Sequence, residues 1–204
     1  MILGGALAPQ PLPSPPLSLE VLWTLPLQGP LSAPPAFAGA RAYIPVGGTR
    51  LEAFTLRPPA PAWSLEVASP SRPAVGEGLV FLATSDALLA VRERDGQLAW
   101  RRPLAAPAGA PPVWDNGWLI VVSRTGVVSA YRALDGHLIW EHEAGSPPSA
   151  PPALAADRVY VSLEDGRVLA LQVEEGRELW SRRLGGAPAE ILALDDRLYV
   201  GSAD

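Results

Sequence analysis

Residues 151–180 read PPALAADRVYVSLEDGRVLALQVEEGRELW. A short apolar lead, two β-rich runs and a closing tryptophan are separated by turn signals, with Asp165-Gly166 and Glu175-Gly176 at the sharpest breaks. Glycine after an acidic residue favours tight hairpins, because it takes positive φ without steric cost. The same order recurs upstream. Tryptophans close the units at Trp23, Trp63, Trp100, Trp140 and Trp180, in steps of 40, 37, 40 and 40 residues. A period in this range marks a propeller or solenoid. Ala53, Ala90, Ala130 and Ala170 each lie ten positions before a tryptophan, an offset that composition alone would not hold four times. The reading is all-β, a propeller of four-stranded antiparallel blades.

The first complete unit runs from about residue 32 to 67, through Ala42–Val46, a Gly47-Gly48 turn, Leu51–Phe54 and a strand around Trp63. Its last turn is expected over the proline-rich stretch Arg57–Pro61, and Pro45 is expected where no ladder hydrogen bond is needed. The second unit (about 71–104) carries Leu79–Leu82, Leu88–Val91, Asp95-Gly96 and Trp100. The third (about 110–143) carries Trp118–Val122, Thr125-Gly126, Val127–Tyr131, Asp135-Gly136 and Trp140. The opening stretch belongs to the fourth, and a fifth begins at Ala187, reaches Arg197–Val200 and stops at Asp204, in mid-blade. Residues 18–25, SLEVLWTL, are expected to form a lone closing strand carrying Trp23. The expected organisation is therefore a proline-rich linker or signal remnant over residues 1–17 and a single propeller domain over 18–204, an incomplete arc of a longer propeller.

Tryptophan on an outer strand needs a shallow site nearby, and alanine on the third strand leaves room for it. Filling that site should cost ~1–3 kcal/mol by overpacking, and deleting a docked tryptophan ~3–5 kcal/mol.

Hydrophobic residues make up 48% of the 204 residues and charged ones 18%, too apolar for a disordered chain, and no apolar run reaches the ~20 residues of a membrane span. A net charge of −5 argues against nucleic acid as a partner, since phosphate binding needs clustered Lys and Arg. Arg101–Arg102 and Arg182–Arg183 read as solvated strand ends. With no cysteine, disulfides, thiolate metal sites and thiol catalysis are excluded. The start, MILGGALA, lacks a positive leader, and both a truncated signal peptide and a ragged terminus remain open readings.

The alanine, glycine and tryptophan positions resemble the tryptophan-docking repeat of the pyrroloquinoline-quinone (quinoprotein-like) propellers, Ala-x-Asp-x-x-Thr-Gly-x-x-x-Trp. They are met by Ala90, Gly96 and Trp100, by Ala130, Gly136 and Trp140, and by Ala170, Gly176 and Trp180. The Asp of the motif is replaced by Arg92, Arg132 and Gln172, and its Thr by Asp95, Asp135 and Glu175; the first unit keeps only Ala53 and Trp63, with Pro59 at the glycine position. The resemblance spans residues 18–204 and is nearest in character to non-catalytic outer-membrane assembly lipoproteins.

That family also contains quinone-dependent dehydrogenases and extracellular sensor domains. The dehydrogenases hold a quinone and a calcium or lanthanide ion with Glu, Asn and a catalytic Asp. None of these can be matched: the sole asparagine, Asn116, lies in a turn, and Glu164-Asp165, Glu174-Glu175 and Asp195-Asp196 fall in hairpins. His137 and His142 flank Trp140 with no nucleophile or metal cluster at a recognisable spacing. The expectation is no catalytic, cofactor or metal residue and no cofactor, in a periplasmic or otherwise extracytoplasmic scaffold for protein partners. Two alternatives stand beside it: part of a quinone-dependent dehydrogenase whose site lies in other blades, and a ligand-sensing domain of a membrane receptor or kinase.

Overall fold

The computed structural model describes residues 20–202, other than 22, 69, 70, 195 and 196. Residues 1–17, expected as a linker, and Asp195-Asp196 therefore lie outside the described residues. Eighteen strands are described and all pair antiparallel within five sheets. The first sheet is β1 (Ala36–Ala38), β2 (Arg41–Val46), β3 (Arg50–Leu56) and β4 (Pro59–Glu66), in that order. The second is β5 (Ala74–Gly76), β6 (Leu79–Ala83), β7 (Ala87–Arg92) and β8 (Leu98–Pro103). The third is β9 (Val113–Asp115), β10 (Trp118–Val122), β11 (Val127–Arg132) and β12 (His137–Glu143). The fourth is β13 (Ala153–Ala155), β14 (Arg158–Ser162), β15 (Arg167–Gln172) and β16 (Glu178–Arg183). A two-stranded sheet, β17 (Pro188–Leu194) and β18 (Arg197–Ser202), follows. The innermost strands β1, β5, β9, β13 and β17 touch in chain order, so the sheets stand as successive blades of an open propeller arc.

The middle two strands of each blade are the continuous apolar runs. In β6, Leu79, Phe81 and Ala83 pack with Leu119, Val121 and Tyr131 of the third blade, while Val80 and Leu82 pack with Tyr43, Leu51 and Ala53 of the first. Side chains alternate between the faces of a strand, so a strand buried on both faces is apolar at most positions, with Glu52, Ser129 and Ser162 as buried polar exceptions. The same division recurs between the third and fourth blades and between the fourth and the terminal sheet, where Ile191, Ala193, Leu198 and Val200 cover Tyr160 and Ala170. The innermost strands are only three residues long in each complete blade and half-buried, a feature the sequence shows only as short leads.

Two expectations are corrected. Residues 20–21 and 23–27 carry no strand, and Trp23 is 44% exposed. A closing strand exists only on the edge of a third strand, and no described strand precedes it. The proline-rich stretch Arg57–Pro61 is not all turn either, because β4 begins at Pro59 and pairs Pro59 with Leu56 and Pro61 with Phe54. An outermost strand leaves alternate N–H groups without a ladder partner, so proline is accommodated there. Pro45 sits in β2, where its carbonyl accepts from the Ser32 N–H at 3.1 Å. The N–H and C=O of a strand residue point the same way, so the missing donor faces the loop and the ladder to β3 is intact.

One register row runs across every blade. Ala53 stands between Tyr43 and Trp63, Ala90 between Phe81 and Trp100, Ala130 between Ile120 and Trp140, and Ala170 between Tyr160 and Trp180. Across the small alanine the outer rings approach to 5.8 Å (Tyr43 and Trp63) or 6.0 Å (Phe81 with Trp100, Tyr160 with Trp180), tilted by 38–45°. Immediately after each of these alanines the register slips by one residue in a β-bulge. Ala90→Leu, at a fully buried position between two rings, is expected to lower stability by about 1–3 kcal/mol. The measurement is the urea midpoint, read with the near-ultraviolet circular dichroism of the tryptophans.

Candidate functional site

The repeat residues meet in seams between blades. The Trp63 Nε1–H donates to the Glu93 carbonyl at 2.8 Å, Trp100 Nε1–H to Ala133 at 2.9 Å and Trp140 Nε1–H to Val173 at 2.7 Å, in each case on the following blade. Each accepting carbonyl lies three residues before a glycine: Gly96, Gly136 or Gly176. A Cβ on those glycines would come within 2.7 Å of the Trp63 ring, 2.7 Å of the Trp100 ring and 2.4 Å of the Trp140 ring. All three glycines have φ between 67° and 70°, so the left-handed turn and the indole above it make the same demand. The partner of each tryptophan is thus the glycine of the next unit, not the one four residues before it in its own motif. Trp180 is half-buried and has no such turn among the described residues, and the first unit has Pro59 at the glycine position.

These turns are held from several directions. The amide of each glycine donates to the carbonyl four residues back, Arg92, Arg132 or Gln172, at 2.8–2.9 Å. Glu93, Ala133 and Val173 donate their N–H groups to Gly78, Gly117 and Asp157, tying the turn to the hairpin between the first two strands of the same blade.

The residues that stand at the Asp position of the repeat motif take side-chain partners within the same turn. Arg92 donates to Gln97 Oε1 at 3.0 Å, Arg132 donates to both carboxylate oxygens of Asp135 at 2.9 and 2.6 Å, and Arg177 donates to Gln172 Oε1 at 2.8 Å. Asp95 and Asp135 accept the N–H two residues on, from Gln97 and His137, both at 3.0 Å. The Arg132 guanidinium, then the His137 amide, hold the Asp135 carboxyl at about 2, below the usual carboxylate range.

One arginine of each basic pair is more than a solvated strand end. Arg102 donates through Nε to the Gly136 carbonyl at 2.9 Å and through Nη2 to that of Asp135 at 2.7 Å, clasping the turn on which Trp100 lies. Arg183 donates to the Asp165 carbonyl at 2.8 Å, and the Asp165 carboxylate accepts from the Arg167 N–H and Nε. His142, two residues after Trp140, lies 3.9 Å from Glu178 of the next blade. Asn116 occupies the turn between β9 and β10 with φ 45°.

Four-stranded blades joined by indole-on-glycine seams define a β-propeller of the tryptophan-docked, quinoprotein-like class. Residues 88–203, more than half of the chain, match the family model described as outer membrane protein assembly factor BamB, and the chain belongs to that family. Among solved structures, BamB from Moraxella catarrhalis superposes with a TM-score of 0.71 at 22% identity, over 84% of this chain and 55% of that one. The computationally designed Ika8 protein gives 0.77 at 14% identity, over 87% and 57%. The quinohemoprotein alcohol dehydrogenase ADHIIG from Pseudomonas putida HK5 gives 0.65 at 15%, over 86% and 39%. At these identities the likeness is one of fold, and the chain spans little more than half the length of the first two. No curated protein matches the chain. No helix among the described residues is long and apolar enough to cross a membrane.

Two outcomes follow from the seam. Gly136→Ala should lower stability by about 2–4 kcal/mol, combining left-handed strain with the indole clash. Gly145→Ala, at φ 76° but with nothing within 4 Å of the new Cβ, should cost only about 1 kcal/mol in the same denaturation series. The second outcome concerns pH. A carboxyl whose folded pKa is depressed contributes stability that is complete above its unfolded value near 3.8 and lost as pH falls through about 2. Stability should therefore decline between pH 4 and 2, and Asp135→Asn should flatten part of that decline in denaturation midpoints taken across the window.

Proposed function

We propose that this chain is a non-catalytic, extracytoplasmic scaffold of the bacterial envelope that presents blade edges and loops to protein partners, in the assembly of outer-membrane proteins. The observation that carries this reading is the match of residues 88–203 to the family described by that role. The distribution of apolar surface supports it. Leu98 on β8 and Leu138 and Ile139 on β12 are 55%, 41% and 41% exposed on the outermost strands, where a strand edge is also free. Exposed apolar side chains beside an unpaired edge are suited to contact with another polypeptide.

The test is a photo-cross-linking residue at Ile139 in the chain expressed in a Gram-negative envelope. Adducts with a membrane-assembly protein are expected, together with lower levels of outer-membrane barrel proteins when the chain is depleted. Turnover above the blank in a dye-reduction assay with pyrroloquinoline quinone, calcium and a primary alcohol would overturn the non-catalytic reading.

A further inference from the structure

The face of the arc that carries the loops between blades bears a groove whose charge is opposite to that of the chain. Two cavities make it up. One, of about 310 Å³, lies at the starts of the inner strands and is lined by Phe37, Val75, Trp114 and the prolines at 73, 111 and 112. The other, of about 300 Å³, lies among the interblade loops and is lined by Ser32, Ser71, Thr84 and Arg124. Arg72 and Pro111 line both, so the two cavities adjoin and form one trough. Each is about the size at which ligand sites begin.

Arg72 and Arg124 are the charged side chains of this trough; no acidic residue lines either cavity, in a chain with 21 acidic and 16 basic residues. Both guanidinium groups are exposed, and among the described residues neither has a hydrogen-bond or ion-pair partner. Most other arginines are engaged: Arg41, Arg92, Arg102, Arg132, Arg167 and Arg183 all donate to carbonyl or side-chain oxygens. In the apolar cavity Phe37 is 63% exposed and the Trp114 Nε1 is buried without a hydrogen-bond partner, and in the second cavity so is the Ser71 Oγ. The Trp114 ring itself is fixed, because it lies over Gly76, where a Cβ would fall 2.1 Å from it.

We infer that this trough binds an extended acidic segment of a partner polypeptide, with apolar side chains against Phe37 and Trp114 and carboxylates on Arg72 and Arg124. The inference rests on the scaffold reading and names the chemistry of one partner surface. Charge complementarity selects the occupant. A guanidinium offers a planar fork of donors that matches a carboxylate, and an aromatic and proline floor takes apolar side chains without asking for hydrogen bonds. Two arginines and two aromatic rings spread over two adjoining cavities suit a chain that carries several side chains.

The experiment uses the whole chain with fluorescein-labelled eight-residue peptides of alternating Glu and Leu, or Gln and Leu, followed by fluorescence anisotropy. The Glu peptide is expected to bind, more weakly as salt rises, and the Gln peptide about tenfold less tightly. Arg72→Gln and Arg124→Gln should each weaken the Glu peptide several-fold with unchanged unfolding midpoints, whereas Arg57→Gln and Arg182→Gln, at exposed arginines outside the trough, should leave it unchanged. Equal binding by all four variants, equal binding of the two peptides, or no binding at millimolar peptide overturns the proposal. Competition by benzoate at the peptide's own affinity would also overturn it, assigning the trough to small carboxylates. If peptide binding fails while cross-links from Ile139 persist, the trough is refuted and the scaffold reading stands.

Discussion

Every complete seam described in this protein turns on one contact, an indole laid flat on a glycine of the next blade. The contact couples two requirements that are separately weak. A tight turn with φ near 70° favours glycine because it has no Cβ, and the absence of that Cβ clears the surface on which the ring rests. The indole N–H then reaches the carbonyl three residues earlier, so its one polar atom is satisfied where it is buried. A local turn and a contact some 30 residues away in sequence thereby become one structural event.

The same economy of parts explains the row behind each tryptophan. Alanine there is small in two directions at once. Along the sheet it lets the flanking rings approach each other, and across the seam it lets the next blade close on the third strand. The bulge that follows interrupts the ladder to the fourth strand directly beside the tryptophan. The polar residues around the turn are more interchangeable than these. The Asp and Thr of the family motif are absent, yet Arg132 with Asp135, Arg92 with Gln97 and Gln172 with Arg177 bridge the turns by other donor–acceptor pairs. The turn needs a polar bridge of the right reach, and several residue pairs provide it, whereas the indole site accepts only glycine.

Packing on both faces consumes the middle strands, which leaves three kinds of surface to act on other molecules: outer edges, loops and the inner-strand mouth. The family match spans residues 88–203, while the exposed Leu98, Leu138 and Ile139 and the unpaired Arg72 and Arg124 are the surfaces proposed to meet a partner. The apolar edges and the basic trough differ in chemistry, so they are suited to different contacts. The exposed Leu98, Leu138, Ile139, Arg72 and Arg124 take no part in the indole-on-glycine contacts, whereas Trp114 lies over Gly76 of the preceding blade and is constrained as the other docked rings are.

Much of the fold is legible in the order of residues. The period, the four β-rich runs per unit and the offset between alanine and tryptophan are repeated linear patterns, and they follow from strand alternation and turn chemistry that act within a few residues. Proline and isolated strands are where such local reading goes astray. Pro59 and Pro61 lie within β4 because an outer edge has donors to spare, and residues 20–21 and 23–27 form no strand because a strand is defined by a partner. The partner of each indole was equally hidden. Gly96 stands four residues before Trp100 yet receives Trp63, since a linear motif records spacing within a unit and cannot say which unit is adjacent in space. The basic trough is invisible in sequence for the same reason: Phe37, Arg72, Trp114 and Arg124 come from three blades and their loops, and only the stacking of the blades brings them to one face.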